Sequence, residues 1–262
     1  MATYKKRGGK VRKPNLTDAD DAQQINYDGE STTKEVFDAL DESASKSEQW
    51  LEKNQKLVFI FLAVVLVGVL GYVVYNKAFQ GPKEITAANE LAFPKKYFEQ
   101  ASISAVATDS LYTLGLEGAD GKYGFIDVAS EFPGTKAGNL ANYYAGISYL
   151  KMKKYPEAIE FLEKFSSDDE ILGAVAKGAI GDAFADLNQP EDALEYYEKA
   201  AAERDNSFTT PLFLFKAGNT ALDLGKSDRA QAMFEKIKKS FPKSEEAKNI
   251  DVYINKAKYA GK

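Results

Sequence analysis

The sequence predicts an all-α chain in which a single N-terminal transmembrane helix precedes a solenoid of stacked helix pairs. Three observations carry that prediction. Residues 57–75 read LVFIFLAVVLVGVLGYVVY, nineteen residues without a charge, which suits an apolar helix crossing a bilayer. Beyond residue 80 the apolar spacing is helical, and three segments superimpose at intervals of 35 and then 37 residues (Ala158, Ala193, Ala230), a period that marks stacked helical arrays. Cysteine and histidine are both absent, which removes disulfides, thiolate nucleophiles, the usual zinc ligand sets and imidazole acid–base chemistry together.

The first 34 residues are expected to be a disordered tail. A basic tip (Lys5, Lys6, Arg7, Lys10, Arg12, Lys13) precedes an acidic stretch with Asp18, Asp20, Asp21, Asp28 and Glu30. That composition buries too little apolar surface to fold. The tip reads either as a topology determinant or as a contact for anionic lipid or ribosomal RNA. The net charge of −5, from 34 basic against 39 acidic side chains, argues against any wider binding to nucleic acid. Residues 35–56 predict an amphipathic juxtamembrane helix, because Phe37, Leu40, Ala44, Ser47 and Leu51 fall on one face and Trp50 suits a membrane interface.

The span itself runs from Leu57 to Tyr75, about 28 Å of helix against a hydrocarbon core of about 30 Å. Fourteen of its nineteen residues are Leu, Ile, Val or Phe. They favour insertion by about 4 to 8 kcal/mol in sum. A cleaved signal peptide is the alternative, but the run is long, starts after 56 residues of largely polar chain and lacks a small-residue exit. No ionisable group lies within it, so a transporter or channel role is not expected. Gly68 and Gly71 are spaced i, i+3 and not in the helix-dimerising G-x-x-x-G pattern. Close to the span Lys46, Lys53 and Lys56 on one side face Lys77 and Lys83 on the other, a small bias that predicts a cytoplasmic N-terminus. The absence of cysteine fits an oxidising compartment on the far side.

Residues 76–138 are expected to form a linker and a degenerate leading repeat. FIDVASEFPGTKAGN (125–139) aligns with FEKIKKSFPKSEEAKN (234–249), each placing Phe-Pro seven residues after a Phe; residues 84–105 would supply the partner helix. Between them Gly115, Gly118, Gly121 and Gly124 punctuate LEGADGKYG, read as a flexible connector because the Lys and Ser/Thr of a phosphate-cradling loop are missing.

The three clear units occupy residues 139–243. In each, a Gly is followed by Ala twelve residues later and a large side chain sixteen later: Gly146, Ala158, Leu162; Gly181, Ala193, Tyr197; Gly218, Ala230, Phe234. Small residues let two antiparallel helices close, and the larger ones fill the groove. The stretch 244–262 alternates charge with Ile250, Val252 and Ile254, as a capping helix would. Acidic pairs such as Asp168 and Asp169, or Glu191 with Asp192 and Glu195, read as helix-start and solvated carboxylates, not as a hydrolytic site or metal ligands. No catalytic residue, metal or cofactor is expected.

The signatures YPEAIEFLEK and PEDALEYYEK, the repeat length and Pro242 closing the third unit resemble the tetratricopeptide repeat family. The first-helix Trp column departs from it, holding Asn142, Lys177 and Leu214. The resemblance implies a right-handed solenoid whose concave face is lined by the first helices and binds segments of other proteins. Aligned positions place Leu140, Tyr143, Ile147, Leu150 and Lys151, then Asp182 and Asp186, then Leu212, Phe215, Asn219, Leu222 and Asp223 on that face. The set does not match the Lys/Asn/Arg arrangement by which chaperone-adaptor repeats grip a C-terminal carboxylate. The whole architecture resembles the YfgM-like family of bacterial inner-membrane proteins. That resemblance implies a single-pass protein with a periplasmic repeat domain, ancillary to the Sec translocon, whose partners are translocon subunits, a membrane-anchored periplasmic foldase or exported chains. A scaffold for outer-membrane assembly or another secretion machine is the alternative, although such scaffolds commonly carry a lipid on a cysteine.

Overall fold

The computed structural model describes residues 32–104 and 106–260, with side chains from Trp50 onward. The tail from residue 1 to 31 and the side chains of Phe37, Leu40, Ala44 and Ser47 lie outside what is described. The chain divides into two units, residues 1–67 and 68–262.

Helix α1 (Thr32–Tyr75) begins in the first unit and continues without a break through Lys56, where the sequence placed a boundary. Straight-chain and aliphatic residues run through that junction with no Gly or Pro to stop the helix. From Leu57 to Tyr75 every side chain except half-buried Val58 is exposed. Among the described residues one helical run, Trp50–Ile103, is long and apolar enough to cross a membrane.

The second unit continues through a π-helical turn at Asn76–Gln80 into α2 (Gly81–Ile103), followed by α3 (Thr108–Glu117), α4 (Phe125–Glu131), α5 (Lys136–Lys151), α6 (Tyr155–Lys164), α7 (Leu172–Asp186), α8 (Pro190–Glu203), α9 (Thr209–Asp223), α10 (Ser227–Ser240) and α11 (Ile250–Ala260). No strand occurs among the described residues. The fold is all-α, as the spacing predicts.

Three antiparallel pairs, α5–α6, α7–α8 and α9–α10, stack in chain order, and their columns meet as the sequence columns require. A Cβ at Gly146 would stand 2.5 Å from Leu162, one at Gly181 2.7 Å from Tyr197 and one at Gly218 2.5 Å from Phe234. The small column therefore lets the larger residue sixteen positions on press against bare backbone. Ala158, Ala193 and Ala230 are fully buried. Each first helix ends the same way. Lys153, Asn188 and Gly225 take left-handed φ of 59°, 58° and 70°. The next amide donates back to Tyr149, Phe184 and Ala221 at 2.9, 2.9 and 2.8 Å, the hydrogen-bond pattern that closes a helix with a left-handed residue.

The leading region carries a helix where residues 84–105 are expected to supply one, but its glycine-punctuated stretch is not a loose connector. Its first helix, α2, packs against α3, α4 and α5, and Gly115 is buried inside α3, 3.3 Å from the Phe125 ring if it carried a Cβ. The Gly118–Gly124 segment is a tight turn closed by a bridge between Ala119 and Lys122. A Cβ at Gly118 or Gly124 would run into the carbonyl oxygens of Lys122 and Leu116. Those glycines serve close backbone approach and a φ of 82° at Gly118. A core of Phe98, Phe125 and Tyr144 joins these helices, with Phe125 and Tyr144 rings stacked at 5.2 Å.

At the other end α11 starts at Ile250 and not at residue 244, because residues 244–249 form turns that end on Asn249 with a left-handed φ of 60°. Tyr253 of α11 packs edge-on against Phe215 at 4.7 Å and beside Phe234 at 5.5 Å, closing the last pair.

Candidate protein-binding site

The twelve positions assigned to the concave face fall into three groups. Seven are apolar residues of α5 and α9 that lie half-buried between helices. Tyr143, Ile147 and Leu150 pack on Ala176, Ala179 and Ile180 of α7, and Leu212, Phe215 and Leu222 pack on the cluster shared by α8, α9 and α10. Leu140 packs with the leading helices. Burial, followed by the neighbouring Tyr144, raises the Tyr143 hydroxyl above its ordinary pKa. These side chains hold the stack together as well as facing its surface.

The second group is tied up in hydrogen bonds. Asp182 of α7 accepts from the Tyr197 hydroxyl of α8 at 2.7 Å and from the Lys216 ammonium of α9 at 2.6 and 2.9 Å. One carboxylate thus joins a helix pair to the next. Burial first, and then the Asp182 acceptor, pushes the Tyr197 hydroxyl strongly upward. Asn219 donates to its own helix at the Phe215 carbonyl, 2.9 Å away. The third group is open: Lys151, Asp186 and Asp223 are exposed. Asp186 raises the pKa of the Tyr155 hydroxyl on α6.

Residues 140–169 and 213–244 match one tetratricopeptide repeat model, and residues 174–206 match a second. These three segments are tetratricopeptide repeats. They coincide with the pairs α5–α6, α9–α10 and α7–α8. No curated protein matches the chain.

Sequence reasoning missed two grooves beside the tetratricopeptide repeats. One, of 760 Å³, lies between α4, α5 and α6, with Ile126, Ala129, Phe161, Asn139 and Asn142 in its lining. The other, of 520 Å³, is bounded by α6, α7 and α8 and lined by Leu162, Phe165, Lys177, Ile180 and Tyr196. Asn142 and Lys177 are two of the three departures from the Trp column. The third, Leu214, is buried. A polar residue where a large apolar one is customary was the available signal.

Hydrogen bonds brace the groove walls. Asn139 and Ser166 exchange two bonds of 2.7 and 3.0 Å, Tyr196 donates to Glu163 at 2.6 Å, and Lys177 pairs with Glu203. Asp169 accepts from the Ile171 and Leu172 amides, both at 2.8 Å. Those bonds pull its carboxyl below the ordinary range, the helix-start role the sequence assigned. No group of three or more metal-ligating side chains occurs among the described residues. Repeats of this kind build surfaces for other proteins, and the functional class is a protein-binding scaffold.

Proposed function

We propose that the chain is a membrane-anchored scaffold whose tetratricopeptide repeats hold a segment of another protein on the far side of the membrane from its N-terminus. The carrying observation is the union of an exposed apolar helix with three stacked repeats. Side chains such as Phe61 and Val67, 67% and 69% exposed, are far more stable among acyl chains than in water. The lysine asymmetry about Leu57–Tyr75 supports a cytoplasmic N-terminus, and the resemblance of the architecture to the YfgM-like family supports a bacterial inner membrane with the repeats in the periplasm.

The face supports a client of stated chemistry. Asp186 and Asp223 offer exposed carboxylates, and Phe215, Tyr143 and Ile147 are half-buried apolar residues assigned to the same face. Such a surface favours an extended or helical segment that combines basic and apolar residues. From the resemblance to the YfgM-like family we infer an accessory role at the Sec translocon, with an exported chain or a membrane-anchored periplasmic foldase as the client.

In-cell photo-crosslinking from Lys151, Asp186 and Asp223, with Val252 on α11 as a distant control, tests the reading. Translocon subunits, a membrane-anchored foldase or exported chains are the expected adducts. Adducts confined to outer-membrane assembly factors would replace this role with the assembly scaffold. Equal labelling from Val252 would remove the face as the docking surface.

A further inference from the structure

The apolar run ends in a cleft. Tyr72 and Tyr75 from the last turns of α1, Asn76 and Lys77 from the π-helical turn, Glu84 from α2 and Lys136 at the start of α5 enclose 780 Å³ of open space. A π-helical turn is rare and often marks a functional site. Here it fans Tyr75 and Phe79 into a stacked pair 5.9 Å apart, with Gln80 donating to the Tyr75 hydroxyl at 3.0 Å.

Charge in the cleft is one-sided. Lys77 and Lys136 are exposed ammoniums. Glu84 is the single carboxylate in the lining, among the described residues. It is already committed: its two oxygens accept from the Lys136 and Ala137 amides at 2.8 and 3.2 Å. Its negative charge is therefore set against the positive end of α5. Lys83 of the same turn is turned away to the Pro133 carbonyl at 3.2 Å. What remains is a pair of exposed cations in a lining shared with two amphipathic aromatic rings.

We propose that this cleft binds the headgroup of an anionic phospholipid, with the phosphate between Lys77 and Lys136 and the glycerol and upper acyl chains along Tyr72 and Tyr75. The inference rests on the membrane-span reading. If acyl chains surround Leu57–Tyr75, phosphates stand at the level of its last turn, where tyrosine is favoured. A phosphodiester there meets two ammoniums without displacing any protein carboxylate. The lipid becomes the link between the emerging helix and the first repeat, because Lys136 opens α5.

The test uses the full chain, reconstituted in phosphatidylcholine bilayers with and without phosphatidylglycerol, then re-extracted in mild detergent and its retained lipid weighed by mass spectrometry. Wild type is expected to retain phosphatidylglycerol over phosphatidylcholine. The double variant K77Q/K136Q is expected to lose about thirty-fold in that preference, about five-fold per lysine, while K236Q/K239Q on α10, with the same charge change, keeps it. Unaltered preference in K77Q/K136Q, or none in wild type, overturns the proposal. Displacement of the lipid by inorganic phosphate would make the site a free-anion site and overturn the lipid assignment. Failure of the chain to stay with bilayers in alkaline carbonate sinks the span reading itself. Retention in carbonate without a phosphatidylglycerol preference sinks only the headgroup site.

Discussion

Replacing Gly178 with alanine should loosen the junction between the second and third repeats. Gly178 sits in α7 where the Phe213 ring of α9 crosses it, and an added Cβ would overlap Cε1 and Cζ and stand 2.9 Å from Cδ1. Ordinary carbon contacts are about 3.5 to 4.0 Å, so the ring must retreat by about 1 to 2 Å. Phe213 is 4% exposed and packed in the cluster of α8, α9 and α10, so the retreat has to come from α7 and α9 moving apart. Overpacking of this kind costs about 1 to 3 kcal/mol, with this site near the upper end. Alanine returns about 1 kcal/mol of helix propensity. The net loss is about 1 to 2 kcal/mol, a fall in Tm of about 2 to 8 °C for a domain this size. Thermal and urea unfolding of the full chain in one detergent, followed by circular dichroism, measures it. The control is Phe213→Leu, which removes Cε1 and Cζ. The combined variant should be less damaged than the two single losses added, by about 1 kcal/mol or more. A higher Tm for Gly178→Ala, or additive losses, would refute the argument.

Three further outcomes follow from the geometry. Lys153→Gly should stabilise the chain by about 0.5 to 1 kcal/mol, because a left-handed lysine costs about 1 to 2 kcal/mol and glycine's extra unfolded-state entropy offsets part of that; Asn188→Gly, at a residue that tolerates the region, should change the urea midpoint little. Glu84→Ala should cost about 1 to 2 kcal/mol, since it orphans amides at the start of α5 that no local side chain replaces; hydrogen exchange at Lys136 and Ala137 should accelerate, whereas exchange in α9 should not. Burial, then the Glu163 acceptor, pushes the Tyr196 hydroxyl up to about 12, so the stabilisation tied to its neutral form is complete below pH 10 and fades between about 10 and 12. Tyrosinate absorbance should show a late component that Tyr196→Phe removes; an identical titration in that variant would contradict the assignment.

The repeats were legible because their packing is local and recurrent. Gly146 with Leu162, Gly181 with Tyr197 and Gly218 with Phe234 are the same contact at the same spacing, so a column in the sequence is a contact in the fold. Helix α3 was not legible. Its sequence TDSLYTLGLE contains two Thr, a Ser, a Tyr and a Gly, weak helix formers, and it is helical because Tyr112 and Leu116 bury against a neighbouring helix layer. The glycine-rich turn after it reads as loose for a related reason: glycine in a sequence signals freedom, whereas Gly118 and Gly124 are there because another backbone occupies the space of a side chain. Glu84 capping α5 from 52 residues away leaves no local trace at all.

Site legibility stopped at a different limit. Periodicity assigns a residue to a face of its own helix, but whether that face is open depends on how closely the next pair packs. Close packing is what sends Tyr143, Ile147 and Leu150 into the α5–α7 seam and leaves Asp186 and Asp223 outside. An apolar side chain at such a position gains by closing the seam. A carboxylate loses solvation there unless it finds partners. Asp182 finds two, Tyr197 and Lys216, and is the acidic member drawn inward. The same reasoning separates the three Trp-column residues. Leu214 can be buried and is; Asn142 and Lys177 keep polar groups that resist complete burial, and each lines a groove. Departures from a repeat pattern toward polar residues thus locate accessible surface better than the apolar positions that obey it.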